Sequence, residues 1–358
     1  TAGLGILGTK TSNAWSSNIT FNDKINVGLI GCRNMGFGIL RQHLNTQGVN
    51  CAALCDVDEN ILHAKAAEIE SNYNQKPKLY KDFRKLLERK DIDAVIIGTP
   101  DHWHCLITVY ALQAGKHVYV EKPMANTIAE LDIMVKAADY YGKVVQVGQQ
   151  QRSAFIFQKA NEMIRQGQIG TLRKVNIWAN FYYGIGSEIV PDEPAPPGVD
   201  YDMWLGPAPY APYSRARVYR FGWYFISDYC PTGWIAGQGV HYIDLAHWGM
   251  NVERTGPVEI EGHGAFPAEG LFDTAIRFHI ELTYANGLKI IYTDKVENPR
   301  EGVRFVGSEG WVHVQDGLAS EPASLAGVSL RPTDVRLNHS RSNVEDFLDC
   351  VRSRRATV

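Results

Sequence analysis

Short apolar runs alternate with segments of helical periodicity through the first half of the chain. Residues 25–30 (INVGLI), 49–55, 94–98 (AVIIG), 117–120 and 144–147 are continuous or nearly continuous apolar runs rich in β-branched residues, the pattern of strands buried on both faces. Between them, 35–44, 59–72, 104–114 and 128–141 carry Ala, Ile and Leu at helical spacing. Strands alternating with helices imply β-α-β units and a doubly wound parallel sheet, which binds ligands beyond the carboxyl ends of its strands. The second half reads differently. A helix at 155–166 and a strand at 173–181 precede five stretches, 259–265, 275–284, 289–294, 304–307 and 311–315, in which apolar and polar residues alternate. That is an open, mainly antiparallel sheet with one buried face. The fold class expected is α/β: a tail at 1–23, a doubly wound unit at 24–149, an α+β unit at 150–338 and a closing helical segment at 339–358.

Length and charge narrow the picture. At 358 residues the chain has room for two domains. Lys+Arg number 36 against Asp+Glu 39, and no basic run marks a nucleic-acid footprint, so nucleic acid is not an expected partner. Six cysteines are scattered without a C-x-x-C pair, which points to small buried hydrophobes rather than zinc or redox chemistry. No apolar run is long enough to span a membrane. Residues 1–8 (TAGLGILG) read either as the tail of an export signal, with a bacterial periplasmic destination, or as an ordinary frayed terminus of a cytoplasmic protein.

The first turn is Gly31-Cys32-Arg33-Asn34-Met35-Gly36. It matches the G-x-G-x-x-G dinucleotide fingerprint at its first and third glycines, with Arg33 in the middle position. Gly31 serves the tight turn and Gly36 the close packing of helix on strand. Arg33 must swing aside, to pair with phosphate or cover the adenine. Asp56 ends the next strand 25 residues after Gly31, where an acid accepts from the ribose hydroxyls and repels a 2′-phosphate. NAD is therefore favoured over NADP; the alternative for Asp56 is a cap on the following helix.

Further along lie Thr99-Pro100-Asp101-His102-Trp103-His104 and, after Ala114-Gly115-Lys116, His117-Val118-Tyr119-Val120-Glu121-Lys122-Pro123. The combination resembles the Gfo/Idh/MocA family of nicotinamide-dependent oxidoreductases, over roughly residues 24–351. The resemblance implies that Glu121-Lys122-Pro123 ends the strand facing the nicotinamide, with Lys122 beside the substrate and a cis peptide before Pro123. Lys122 is then placed for proton transfer, while Glu121 either orients it or caps the turn. The loop carrying Thr99 and Pro100 would touch the nicotinamide ribose, His104 would bond a ribose hydroxyl, and His102 and Trp103 either cover the cofactor or pack. These histidines lack the spacing of a metal site.

The same resemblance places polar groups at Gln149, Gln151 and Arg152 near cofactor and substrate. It gives the second domain a sheet whose free face packs on another subunit, so a homodimer or homotetramer is expected. Residues 182–231 are rich in Pro, Gly and aromatics, and long loops of this kind are usually functional. Tyr182, Trp204 and Trp223 offer aromatic faces for sugar rings, and Arg220 a charge for their polar edges. In Gly239-Val240-His241-Tyr242-Ile243-Asp244, the family's D-x-G-x-H segment is matched at Gly239 and His241, the second acid/base group, but its aspartate position holds Gly237. Gln238 or Asp244 is expected to compensate, Asp244 by orienting the imidazole from one turn later. The resemblance implies an NAD-dependent oxidoreductase acting on a sugar, polyol or glycoside hydroxyl. Its alternative is a glycosidase or lyase that retains NAD through a transient oxidation, elimination and reduction.

Overall fold

The computed structural model describes residues 24–179, 190–219, 221–294, 301–330, 337 and 340–357. The first half runs β1 (Ile25–Ile30), α1 (Asn34–Leu44), β2 (Val49–Cys55), α2 (Glu59–Tyr73), β3 (Lys78–Tyr80), α3 (Phe83–Leu87), β4 (Ala94–Ile97), α4 (His104–Gln113), β5 (His117–Val120), α5 (Ile128–Tyr141) and β6 (Val145–Val147). Its six strands are parallel in the order β3-β2-β1-β4-β5-β6. β4 and β5 are buried throughout, which is why their sequences carry no alternation. β3 and α3 were not expected from the sequence, being too short to show a period. Polar residues set the helix starts: Asp58 accepts from Asn60 N, Asp82 from Arg84 N, and Thr127 forms a capping box with Glu130.

The second half runs α6 (Phe155–Arg165), β7 (Leu172–Trp178), α7 (Tyr201–Leu205), α8 (Arg215–Val218), α9 (Trp234–Gly237), α10 (Gly239–Met250), β8 (Glu259–Ala265), β9 (Arg277–Thr283), β10 (Lys289–Thr293), β11 (Gly302–Gly307), β12 (Trp311–Val314), β13 (Leu318–Glu321) and α11 (Asn343–Ser353). The seven-stranded sheet has the order β13-β12-β11-β7-β10-β9-β8 and is antiparallel except where β7 meets β10. It is therefore mixed, mostly antiparallel. β13 is a further short strand missed in the sequence. One face carries Val175, Ile177, Ile290, Tyr292, Val303 and Phe305, all fully buried with α6 and α10 residues such as Met163 and Leu245. No helix among the described residues is long and apolar enough to cross a membrane.

α11 returns to the first half. Val344, Phe347, Leu348 and Val351, at helical spacing, are buried in one cluster with Ile25, Leu29 and Tyr119. Arg354 donates to His117 Nε2 at 2.7 Å and Thr357 to Val145 O at 3.4 Å. The last residues therefore close the core of the parallel sheet rather than standing apart.

The segment from residue 190 to 219 also crosses back. Asp58 bridges Val199, Asp200 N donates to Val57 O at 2.9 Å, and Glu59 N donates to Gly198 O at 3.0 Å. Its Trp204 and Tyr213 form a separate cluster with Ile226 and Tyr229 further along the chain. This strap lies against the β2–α2 turn.

Candidate functional site

A cavity of about 1470 Å³ runs along the carboxyl ends of β1, β2, β4 and β5, roofed by residues from 190–219 and 221–225. Backbone closeness shapes one end. Gly31 has φ +89°, and a Cβ there would sit 2.7 Å from the backbone of Gly98; one on Gly36 would sit 2.3 Å from Gly31 O. Any side chain would push the first turn off β4, so these glycines permit the cradle that the fingerprint predicted. Arg33 at the N-cap of α1 has extended backbone and makes no cap hydrogen bond. Its guanidinium pairs with Asp58 and lies 4.5 Å over the Tyr219 ring, so it swings aside as required. No acid occupies the first turn of α1, which leaves its amides open to an anion. Asn34, Met35, Thr99 and Pro100 join this wall.

Asp56 accepts from Cys32 N at 2.7 Å and Asp58 N at 2.9 Å. Burial pushes its carboxyl up and these amides pull it back. It is not the cap of α2; Asp58 is. The glycine cradle, the unopposed helix start and the acid after β2 together fit a dinucleotide.

At the other end, Lys122 Nζ donates to Gly237 O at 2.9 Å and faces Tyr224 Oη at 3.5 Å. The Lys122–Pro123 peptide is cis, as the resemblance implied. Glu121, almost fully buried, accepts from Gln150 Nε2 at 2.9 Å and Lys122 N at 3.4 Å. It holds the backbone of the turn rather than the Lys122 amine. Burial pushes its carboxyl up to about 7, against the nearby Lys122 charge. His241 Nδ1 meets Gln149 Oε1 at 3.1 Å, so Nδ1 donates and Nε2 remains an acceptor. Burial, and then the Lys122 charge, lower its pKa to about 3, leaving the ring neutral. His241 and Gln149 come together close to Lys122 but outside the cavity wall.

Several expectations need correction. Asp244 does not orient His241: both its oxygens take the Arg152 guanidinium, each at 2.6 Å. Arg152 also reaches Glu253 at 3.3 Å and lies 5.4 Å from the Trp248 ring centre, so it is spent on a partly buried ion network and not offered to a substrate. Gln238 donates to Tyr242 Oη at 3.2 Å and does not compensate for Gly237. The backbone carbonyl of Gly237 and the Tyr224 hydroxyl take that place, and a Cβ at Gly237 would stand 2.9 Å from the Tyr224 ring. His104 gives no nitrogen to a ribose: Nδ1 faces Pro123 O at 2.8 Å and Nε2 faces Thr99 O at 2.9 Å. The ring is wedged between the loops after β4 and β5, and when neutral it donates to one of these two carbonyls. His102 Nε2 and Trp103 Nε1 both meet Trp204 O at 3.0 Å, fastening α7 to the first half. Trp204 and Trp223 line the cavity, Trp223 stacked on Tyr224 at 3.9 Å. Gln151 lies outside that wall, its Oε1 buried. Tyr182 and Arg220 lie outside the described residues. No group of three or more metal-ligating side chains occurs among the described residues.

Asp101, Tyr219 and Tyr224 line the cavity without a sequence signal of their own. Asp101 stands inside the Thr99–His104 motif, but only its burial singles it out. The two tyrosines reach the site from the strap and the turn that follows it.

A parallel sheet with this cradle, this acid after β2 and a lysine at the end of β5 defines an NAD-binding oxidoreductase. Residues 25–149 match the oxidoreductase family's NAD-binding Rossmann fold, and residues 158–357 match that family's C-terminal alpha/beta domain; the chain belongs to the Gfo/Idh/MocA oxidoreductase family. A glycosyl hydrolase family 109 protein of Shewanella baltica is 32% identical over 163 residues, 42% of this chain and 34% of that protein. The match thus reaches about a third of the relative's length. An aldose-aldose oxidoreductase from Caulobacter crescentus, solved with glycerol, superposes with a TM-score of 0.67 at 19% identity, covering 94% of this chain and 91% of that one. The WlbA dehydrogenase from Bordetella pertussis, solved with NADH and UDP-GlcNAcA, gives 0.63 at 19% identity, with 92% and 89% covered. At these identities the likeness is one of fold.

Proposed function

We propose that the protein transfers hydride between NAD and a hydroxyl-bearing carbon of a sugar, polyol or glycoside. The observation that carries this reading is Lys122, held by the Gly237 carbonyl at the cavity wall beside Tyr224, on which Trp223 stacks. Gly31, Gly36, the start of α1 and Asp56 would hold the dinucleotide; bound there, it supplies the hydride acceptor. Lys122 exchanges the hydroxyl proton; the neutral His241 stands close to it outside the cavity wall and acts through Lys122 rather than on the substrate. Trp223 stacks on the apolar C–H face of the ring and keeps water away from the reacting carbon, whereas the Trp204 ring is packed against Tyr201, Tyr229 and His102 and serves the wall.

A second reading is favoured by the strap. Arg33, Asp58 and Tyr219 close over the adenosine end of the cavity, which supports a cofactor retained from one turnover to the next. A retained cofactor suits a redox-neutral cycle, in which the sugar is oxidised, loses a substituent by elimination and is reduced again. The glycosyl hydrolase name carried by the Shewanella baltica relative points the same way.

One experiment separates the two. Holoprotein is incubated with NAD and a panel of free sugars, inositols and p-nitrophenyl glycosides, following NADH and p-nitrophenol together. NADH accumulation with free sugars supports the dehydrogenase. Release of p-nitrophenol without net NADH supports the cycle. Neither signal with any panel member would overturn both. The face of the second sheet away from α6 and α10, where Arg304 lies over Trp178 and Trp311, half-buried among the described residues, supports assembly into a homodimer or homotetramer, which light scattering reads as a mass of two or four chains.

A further inference from the structure

Asp101 begins the turn after β4 and lines the cavity. Its side chain is only 2% exposed, and neither carboxyl oxygen has an N–H or O–H partner among the described residues. The Cys230 thiol is a weak donor beside it, and a buried carboxyl without N–H or O–H donors is costly when charged. Here the group faces the end of the cavity that holds Lys122, where the sheet topology brings the nicotinamide half of the cofactor. The surrounding charges come from every element packed against it. Lys122 and Glu121 face it from the end of β5, the Cys230 thiol from the loop after Tyr229, and Tyr224 from the turn over the cavity. His102 and His104, on its own turn, are buried with both pKa values lowered to about 4, chiefly by burial, and stay neutral.

We propose that Asp101 is a charge-compensating proton site for the cofactor, giving up its proton when the positively charged oxidised nicotinamide binds and keeping it when the neutral reduced form binds. In the free protein, burial holds the carboxyl well above the usual carboxylate range, with the Cys230 thiol and Lys122 pulling down and Glu121 pushing up. A positive ring against the same wall reverses the balance, because an opposite charge at close range favours the ionised form. The balance is simple: protein carrying one proton on Asp101 binds NAD and releases one proton to solvent, whereas it binds NADH and releases none.

One consequence rests on the proposed reaction. Oxidising the alcohol removes one hydride and one proton: Lys122 passes its ammonium proton to the Asp101 carboxylate and takes the hydroxyl proton in its place, so that one proton ends on Asp101 and Lys122 is unchanged. The cavity then carries the same net charge before and after hydride transfer, which suits a site that keeps both hydride and proton for a later reduction.

The test uses NAD and NADH as probes and needs no substrate, so it stands or falls separately from the proposed reaction. Charcoal-stripped protein is titrated calorimetrically with each form in phosphate and in Tris, whose ionisation heats differ. The expected result is about one more proton released with NAD than with NADH, with NAD affinity rising about tenfold per pH unit while Asp101 is protonated in the free protein and NADH affinity flat. Asp101→Asn should bind both forms and lose the difference, while Glu121→Gln keeps it. Equal proton release in the wild type, or a difference that survives in Asp101→Asn, overturns the proposal and moves the proton to Lys122 or Glu121. A second reading needs no variant: the infrared band of a protonated carboxyl should vanish from wild-type protein on adding NAD and persist on adding NADH, and a band unchanged by NAD overturns the proposal as well.

Discussion

Lys122 is anchored by a backbone carbonyl and a phenol rather than by a carboxylate, so its positioning depends on Gly237 remaining small. Lys122→Ala should lower turnover by about 10²–10⁴-fold, the usual contribution of a positioned proton-transfer group, while the NADH dissociation constant stays unchanged; binding lost in parallel would make the lysine a cofactor ligand instead. Glu121 offers a test on stability. Its folded pKa of about 7 lies above the ordinary 4.5, so between those values the folded protein keeps a proton that the unfolded chain has lost. That contribution is present below about pH 4.5 and gone above about pH 7. Urea midpoints should show the wild type losing ground to Glu121→Gln as pH rises through this window, by up to a few kcal/mol. A constant gap would place the titration elsewhere. The motif made Lys122, Glu121 and His241 visible as residues, but not their partners: the sequence suggested Asp244 for His241, and the structure supplies Gln149.

Two elements decide whether the site stays assembled. α11 has apolar residues at helical spacing that the sequence displays plainly, yet nothing local says which core receives them. Phe347 is fully buried, edge-on to Tyr119 at 5.8 Å and to His43 at 5.9 Å. Phe347→Ala should cost about 3–5 kcal/mol, read as a lower urea midpoint that NADH partly restores, since the cavity lies on the same sheet. The strap is the second element. Its Pro-rich and aromatic composition points to a functional loop facing a sugar, and the structure also lays it over the end of the cavity formed by Arg33 and Asp58. Tyr219→Ala removes the face under Arg33 and the Tyr219 Oη contact to Asp58 at 3.5 Å. Stopped-flow displacement should show bound NADH leaving about tenfold faster, in line with an interaction of about 1–2 kcal/mol. An unchanged rate would remove the strap from cofactor retention.

At the scale of the molecule, the buried titratable groups set the response to acid. His43, His102, His104, His117 and His241 are all lowered by burial, to between about 3 and 4. The folded state keeps them neutral while the unfolded chain protonates them below about pH 6.5, so the stability they carry is complete above that pH and lost as pH falls toward 4. Asp56, Asp101 and Glu121 are shifted upward and act in the opposite sense, three groups against five. Stability should therefore fall on acidification, with a lower urea midpoint at about pH 5 than at about pH 7; a higher one would mean that the carboxyls dominate.

The chain by itself determined the two architectures, the first turn, the acid after β2 and the E-K-P lysine, because hydrophobic period and turn chemistry act over a few residues. It did not show β3, α3 or β13, whose runs are too short for a period to emerge. Only the tertiary structure decided the pairings that define the site: Lys122 with Gly237 across 115 positions, Arg152 with Asp244 across 92, and His102 with Trp204 across 102. Such contacts depend on where loops and helices close in space, and a buried polar atom takes whichever donor or acceptor that closure brings within reach.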